Sequence, residues 1–242
     1  MHNTKKSKKK INCKIHFGYW LAGLIDADGY LNVCNKNYTS CQITVGLSEL
    51  SLLNLVKKNL GGTISLRTKV NVYRWRLHNK KGMNILIQYI NGKCILPSKK
   101  IQLENVCKIL EIPFNYNADA LFSINTYWVA GFFEAEGYFN VNKITLQCSI
   151  TVAQKTPELL ENLKSFFGGN VYYDKCWKKY LYSCSDKNCL NKWFIYFSQF
   201  PLKSRKNIDL VRFKRILLFK ERKYHVSSNE IYKKRFFKLV RL

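Results

Sequence analysis

Acids are scarce in this chain: 15 Asp and Glu stand against 41 Lys and Arg, a formal charge of +26 over 242 residues. A compact protein so unbalanced repels itself unless a polyanion is its usual partner, which points to nucleic acid. The other polyanion is an anionic membrane surface, but the sequence shows neither a basic amphipathic anchor nor a lipidation signal. Long apolar runs are missing as well, so no membrane span and no membrane partner is expected. C-x-x-C pairs are absent: the nine cysteines, at 13, 34, 41, 94, 107, 148, 176, 184 and 189, are scattered and odd in number. Such spacing predicts reduced thiols in an intracellular compartment rather than a disulfide framework. Cys176, Cys184 and Cys189 come nearest to a zinc set, at a spacing unlike the usual fingers.

What is present is the makings of a core. Hydrophobic residues are 47% of the chain, with 15 Tyr and 15 Phe, which excludes a disordered chain and allows one large domain or two smaller ones. The opening MHNTKKSKKKIN is lysine-rich without an apolar run. It reads as a flexible basic arm over 1–14, not a secretory signal. Richness in Lys, Asn, Ile and Tyr hints at an A+T-rich gene, hence an organelle, mitochondrion or chloroplast.

The chain is written twice. YWLAGLIDADGYLNV at 19–33 returns as YWVAGFFEAEGYFNV at 127–141, an offset of 108. Further on, CQITV (41–45) answers CSITV (148–152), Gly61–Gly62 answers Gly168–Gly169, and KKIQLENVCKIL (99–110) answers KNIDLVRFKRIL (206–217), at an offset of 107. Two halves of one fold are therefore expected, 15–110 and 126–223, with 111–125 as linker and a helical tail at 224–242. Periodicity predicts a helix over the motif, strands at 30–35 and 41–47, a helix at 49–60, strands at 62–68 and 72–78, and helices at 81–91 and 99–110. The fold class is α+β, each half α-β-β-α-β-β-α. Alternation leaves each antiparallel sheet with one buried face and one polar, largely basic open face.

The motif helices explain their own acids. Gly23 and Ala27 lie four apart on one face, as do Gly131 and Ala135, and small residues at that spacing let two backbones approach closely. Asp28 and Glu136 then end on last turns, where the helix dipole disfavours an acid by about 0.3–1 kcal/mol. Gly29 and Gly137 follow, as a helix C-terminus favours. Bringing two such ends together makes sense if divalent cations such as Mg2+ sit between carboxylate and phosphate oxygens. Paired acids, Mg2+ and a basic sheet floor suggest phosphodiester hydrolysis on both strands of a duplex. Asp26 and Glu134, nearer the helix middle, are better read as capping or inter-helix hydrogen-bonding groups.

On these residues the chain resembles the LAGLIDADG homing endonucleases of the single-chain, two-repeat type; Leu21–Gly29 spells the family motif. The resemblance implies two pseudo-symmetric αββαββα halves, saddle-shaped sheets over the DNA major groove, and a monomer with internal pseudo-twofold symmetry. It implies metal-binding acids at Asp28 and Glu136, with carbonyls lent by Ala27 and Ala135. Mg2+ is the implied cofactor, Mn2+ its substitute, and no organic cofactor is expected. A basic residue near each centre is implied, and the repeat alignment points to Lys99 and Lys206, which Lys100 and Arg205 adjoin. Gln154 matches a polar, water-ordering position at the end of the second strand, where the first half has Leu47.

Laid in the major groove, the open faces would read bases through Asn32, Gln42, Ser65, Arg67, Lys69, Arg74, Arg76 and His78 in the first half. In the second half the readers would be Asn140, Asn142, Gln147, Ser149, Tyr172, Lys179 and Ser183. The lists differ, so a long asymmetric target is expected, an intron-insertion site in double-stranded DNA. Two rivals stand beside this reading: an RNA-binding maturase acting on intron RNA, and a non-catalytic DNA-binding regulator. Intact acids in both motifs argue for the nuclease.

Overall fold

In a computed structural model of the chain, residues 2–34, 38–116 and 123–241 are described. The chain divides into two compact units, Met1–Glu136 and Gly137–Leu242. The first holds α1 (His2–Asp28), β1 (Gly29–Cys34), β2 (Tyr38–Gly46), α2 (Leu50–Leu60), β3 (Thr63–Arg67), β4 (Val72–Leu77), α3 (Lys80–Ile90), α4 (Pro97–Leu110) and α5 (Trp128–Glu136). Its antiparallel sheet has the order β1-β2-β4-β3. The second holds β5 (Gly137–Val141), β6 (Cys148–Gln154), α6 (Glu158–Phe167), β7 (Asn170–Asp174), β8 (Lys179–Cys184), α7 (Lys187–Gln199), α8 (Lys206–Glu221) and α9 (Glu230–Arg241), with the sheet order β5-β6-β8-β7.

Local chemistry accounts for the elements. In α2 the buried residues Leu52, Leu53, Val56 and Leu60 fall on one face, and Leu159, Leu160, Leu163 and Phe167 do the same in α6. Each helix runs out into paired glycines with positive φ, Gly61 (+76°) and Gly62 (+85°), Gly168 (+88°) and Gly169 (+89°). Only glycine adopts that conformation cheaply, so the double glycine turns the chain back into the next strand. Asn79 caps α3 by accepting from Gly82 N at 2.7 Å, and Asp186 caps α7 by accepting from Cys189 N at 2.9 Å. Under the first sheet, buried Trp75 donates to Gly61 O at 2.8 Å; under the second, Trp193 donates to the Tyr182 hydroxyl at 2.9 Å and stacks on Phe167 at 3.9 Å. Truncating such an aromatic costs about 3–5 kcal/mol.

Several expectations change in detail. Helix α1 extends back to His2, through the stretch expected as an arm. The unit boundary falls after the second motif helix rather than in 111–125, because α5 lies against α1. Parts of the expected arm, first strand, linker and tail, namely residues 1, 35, 117–122 and 242, lie outside the described residues. Gly29 needs no left-handed conformation: α1 passes straight into β1, and the constraint is space, since a Cβ there would lie 2.6 Å from Ile25 Cα.

Two further corrections concern cysteine and register. Seven cysteines are free, but Cys184 and Cys189 form a disulfide rather than staying reduced. Nor does the 107 offset hold along the second strand of each half. Val45 faces Tyr73 across β2–β4, and Gln154 faces Tyr180 across β6–β8. Tyr180 is Tyr73 advanced by 107, so the register equivalent of Gln154 is Val45, not Leu47, which sits beyond β2 in a 3-10 turn. The second half has a shorter loop after this strand, and sequence matching across it slides the strand by two residues.

Candidate functional site

The site is built on a contact between backbones. A Cβ on Gly23 would lie 2.0 Å from Trp128 O and 2.8 Å from Phe132 N, and one on Gly131 would lie 1.8 Å from Trp20 O. Helices α1 and α5 therefore touch main chain to main chain at the two motif glycines. The pairings His16–Tyr127 (ring centroids 5.0 Å), Trp20–Gly131 and Gly23–Phe132 advance together, so the helices run in the same sense. Each then continues five residues, 23 to 28 and 131 to 136, to a terminal acid. Asp28 is exposed and Glu136 half-buried; the preceding Ala27 and Ala135 are half-buried.

The glycine after each acid takes a lysine that reaches back from a later helix. In the first unit Lys99, in the opening turn of α4, donates its Nζ to the carbonyl of Gly29, the residue after Asp28. In the second unit Lys206, the first residue of α8, donates its Nζ to Gly137 O at 2.6 Å, and Gly137 follows Glu136 in the chain. The neighbours do something else: Lys100 Nζ stands 5.6 Å over the Tyr116 ring, and Arg205 is exposed at the helix N-cap. Lys206 also helps line a cavity of about 380 Å³ with Tyr138, Asn140, Arg205, Arg212 and Val240.

Asp26 and Glu134 are buried, 1% and 2% exposed. Asp26 Oδ2 accepts from Ile95 N at 2.7 Å and from Trp128 Nε1 at 2.8 Å, tying α1 to α5 and to the loop before α4. Burial pushes its carboxyl up to about 7, against the pull of those donors and of the Lys99 charge. Burial likewise pushes the Cys41 thiol up to about 12 and holds Cys94 well above its usual range.

The expected base readers fall into three groups. Asn32, Gln42, Ser65, Arg67, Arg74 and Arg76 occupy one face of the first sheet, since Gln42 faces both Tyr30 and Arg76, Arg74 faces Ser65, and Asn32 faces Ser40. Asn140, Ser149, Tyr172, Lys179 and Ser183 share one face of the second sheet. Lys69, His78, Asn142 and Gln147 lie off the strands, in turns or loops. There Asn142 Oδ1 accepts from Ile144 N and Thr145 N, both at 2.9 Å, and so shapes the β5–β6 loop. Gln154 closes β6 with its Oε1 accepting from Lys155 N at 3.1 Å, and alternation puts it on the face of Val152, opposite the open face.

The strand registers place Tyr30, Thr44, Thr63, Tyr138, Thr151 and Asn170 on the same two faces, though the expected readers do not include them, and Thr151 is buried there. Alternation within each strand, from Gln42 to Thr44 and from Ser65 back to Thr63, reaches two of them. It also passed over Gln102, whose Oε1 accepts from Leu31 N at 3.0 Å along β1. Among the described residues, Cys184, Asp186 and Cys189 are the one cluster of three potential metal ligands, but both sulfurs are in the disulfide and Asp186 caps α7. Cys176 is exposed in the β7–β8 turn, so the zinc set considered from sequence does not assemble.

The sequence profile described as LAGLIDADG endonuclease matches residues 21–110 and again 129–217. The intron-encoded RNA maturase bI4 of Saccharomyces cerevisiae is 36% identical over 198 residues, 79% of this chain and 31% of that protein. The intron-encoded DNA endonuclease ai2b of Dictyostelium discoideum is 29% identical over 199 residues, 78% and 74% of the two. This chain spans about a third of the maturase and of a probable intron-encoded endonuclease aI2 from Debaryomyces hansenii. Among solved structures, the LAGLIDADG homing endonuclease I-GzeII in complex with its DNA target superposes with a TM-score of 0.69 at 19% identity, covering 92% of this chain and 96% of that one. I-SmaMI bound to uncleaved DNA in the presence of calcium gives 0.70 at 16% identity, covering 92% and 97%.

Proposed function

Because the chain belongs to the LAGLIDADG endonuclease family, we propose that it is an intron-encoded homing endonuclease acting in an organelle. As a monomer it would cut both strands of a long, asymmetric DNA site. The observation that carries this is the duplicated pairing of a helix-terminal acid with a lysine on the next residue's carbonyl, Asp28 with Lys99 and Glu136 with Lys206.

The donor set suits a divalent metal. Two carboxylates end helices whose last carbonyls also point that way, and hard oxygen donors favour Mg2+ or Mn2+ over softer ions. Asp28 and Glu136 would hold the ions, with the Ala27 and Ala135 carbonyls. What a bound ion supplies there is polarisation of the scissile phosphate and a lowered pKa for the attacking water. The chain's own contribution is placement. The glycine crossing fixes where the acids end, and the carbonyls of Gly29 and Gly137 hold two ammonium groups where phosphate charge develops. The basic open face of the first sheet and the lysine-rich surface bind the duplex backbone, so affinity should fall steeply with salt.

The maturase reading is supported by the relative of that name, and one experiment separates the two. Purified protein is incubated with duplex spanning candidate intron-insertion sites, with Mg2+ and then with EDTA. Metal-dependent cleavage of both strands is expected. Asp28→Asn and Glu136→Gln should each lower it by at least about 100-fold, a loss of about 2.7 kcal/mol of transition-state stabilisation, with specific binding kept. Lys99→Met should lose activity where Lys100→Met does not. Tight binding to intron RNA with no cleavage of any duplex would instead establish the maturase.

A further inference from the structure

The open faces of the two sheets differ in kind. On the first, β3 and β4 carry Arg67, Arg74 and Arg76, the three arginines that the described strands contain. Arg67 and Arg76 are exposed, and the buried Nε of Arg74 has no hydrogen-bond partner. Their register neighbours are Val72, Ser65 and Thr63, so no carboxylate on the strands balances them.

The second unit repeats the β3–β4 pairing at a constant shift of 107 and replaces each arginine. Leu181 stands for Arg74, Ser183 for Arg76 and Asp174 for Arg67. Leu181 is buried between Ala153 and Tyr172, whereas Tyr172 is 49% exposed. One row over, Thr151 joins Tyr138 to Ser183, which faces Asn170. The lone base on these strands, Lys179, faces Asp174 in register, so the face carries no net charge. The substitution is therefore of chemistry, from three forked cations to a leucine, a serine and an aspartate, with Tyr172 and Asn170 beside them where the first face has Ser65 and Thr63.

Base pairs present different partners to these two surfaces. Guanine offers O6 and N7 to an arginine fork, thymine offers a methyl to an apolar side chain, and adenine offers N6 and N7 to an amide. We propose that the two units read half-sites of opposite composition. The first takes a guanine-bearing half-site through Arg67, Arg74 and Arg76. The second takes an A·T-rich one, with thymine methyls against the exposed ring of Tyr172 and adenine edges at the exposed Asn140 and Asn170. The proposal rests on the reading of the chain as a DNA-binding endonuclease.

The test selects bound duplexes from a pool randomised over about 24 base pairs, with Ca2+ in place of Mg2+ so that binding is read without cleavage. Guanine-contact positions are expected on one side of the centre and A·T pairs on the other. Arg74→Leu with Arg76→Ser, which copies the second face onto the first, should lower the preference for those guanines about 10-fold or more and leave the other half unchanged. Arg67→Asn, at an exposed position, gives the same readout without touching a half-buried residue. Ser183→Arg, which copies Arg76 onto the second face at a half-buried position, should create a guanine preference in the A·T half. Guanine readout on both sides, or on neither, overturns the inference while leaving a selected, cleavable site intact. If no duplex is enriched at all, the endonuclease reading falls with it.

Discussion

In the first half the joint between β4 and α3 is filled by Leu77, whose Cδ1 lies 2.6 Å from where a Cβ on Gly82 would stand. In the second half the same two positions are Cys184 and Cys189, joined covalently between β8 and α7. Both joints keep the helix cap, Asn79 in one and Asp186 in the other. The motif helices behave differently: both put glycine at the crossing, and both follow the acid with glycine. Where two backbones touch, only the residue without a Cβ fits, so a duplicated chain keeps it in both copies. Where side chains meet, any pair that fills the space serves, and the copies can diverge.

The sharpest way to break that contrast is to add one methyl group at the crossing. Gly131→Ala would put a Cβ 1.8 Å from Trp20 O, and Gly23→Ala one 2.0 Å from Trp128 O, with rigid main chain on the far side each time. Both should lose at least the upper end of the about 1–3 kcal/mol usual for overpacking, and Gly131→Ala should fail to give folded protein if either does. Gly46→Ala is the control, with nothing within 4 Å of its Cβ. Urea unfolding followed by tryptophan fluorescence reads all three, and equal midpoints would show that the helices can part without loss.

The glycine crossing was legible in the sequence because small residues at fixed spacing have one obvious use, and a duplicated motif shows it twice. So were the element order, the helices and most strand bounds, since hydrophobic period and double glycines encode them locally. Register was harder. The two-residue slide that moves the partner of Gln154 from Leu47 to Val45 is set by a loop deletion, and identical letters on both sides conceal it. The repeat alignment points to Lys99 and Lys206, but nothing local to the sequence separates them from the adjoining Lys100 and Arg205. Adjacent residues at the start of a helix differ by about 100° in direction, and only the position of α4 against β1 and α8 against β5 settles which amine meets a carbonyl. The Cys184–Cys189 bond was missed because pairing is a matter of Cα separation, here 6.1 Å, which spacing of five in sequence does not fix.

Asp26 offers a second test of sameness, smaller than the first. Its Oδ2 takes the Trp128 indole, whereas the indole nitrogen of Trp20, the matching residue on α1, is buried without a hydrogen-bond partner. The other oxygen, Oδ1, is buried without a hydrogen-bond partner as well. Burial raises the folded-state pKa from 3.8 to about 7, so between those values the folded chain binds a proton that the unfolded chain has released. Asp26 therefore destabilises the fold progressively as pH rises from about 4 to about 7, by at most roughly 4 kcal/mol, and by a constant amount above that. Asp26→Asn keeps a carbonyl oxygen for the indole and does not titrate. Its stability relative to the parent should grow across that window and then level. A parallel pH dependence in the two proteins would place the titrating group elsewhere.

The disulfide sharpens the comparison from the other side, because here the halves differ and the difference can be exchanged. Closing a loop between Cys184 and Cys189, five residues apart, removes unfolded-state freedom worth about 2 kcal/mol in the chain-entropy account. Reductant should lower the unfolding free energy of the parent by that amount or less, since the Asp186 cap and the Cys189 Sγ contact to the Tyr182 hydroxyl at 3.4 Å keep the joint in place. The double substitution Cys184→Leu with Cys189→Gly installs the first half's solution in the second. It should be insensitive to reductant and lie within about 1 kcal/mol of the reduced parent, because a buried leucine against a glycine fills what two thiols fill. A much larger loss would mean that the two joints are not interchangeable packings of one fold, and that the second half depends on its covalent link.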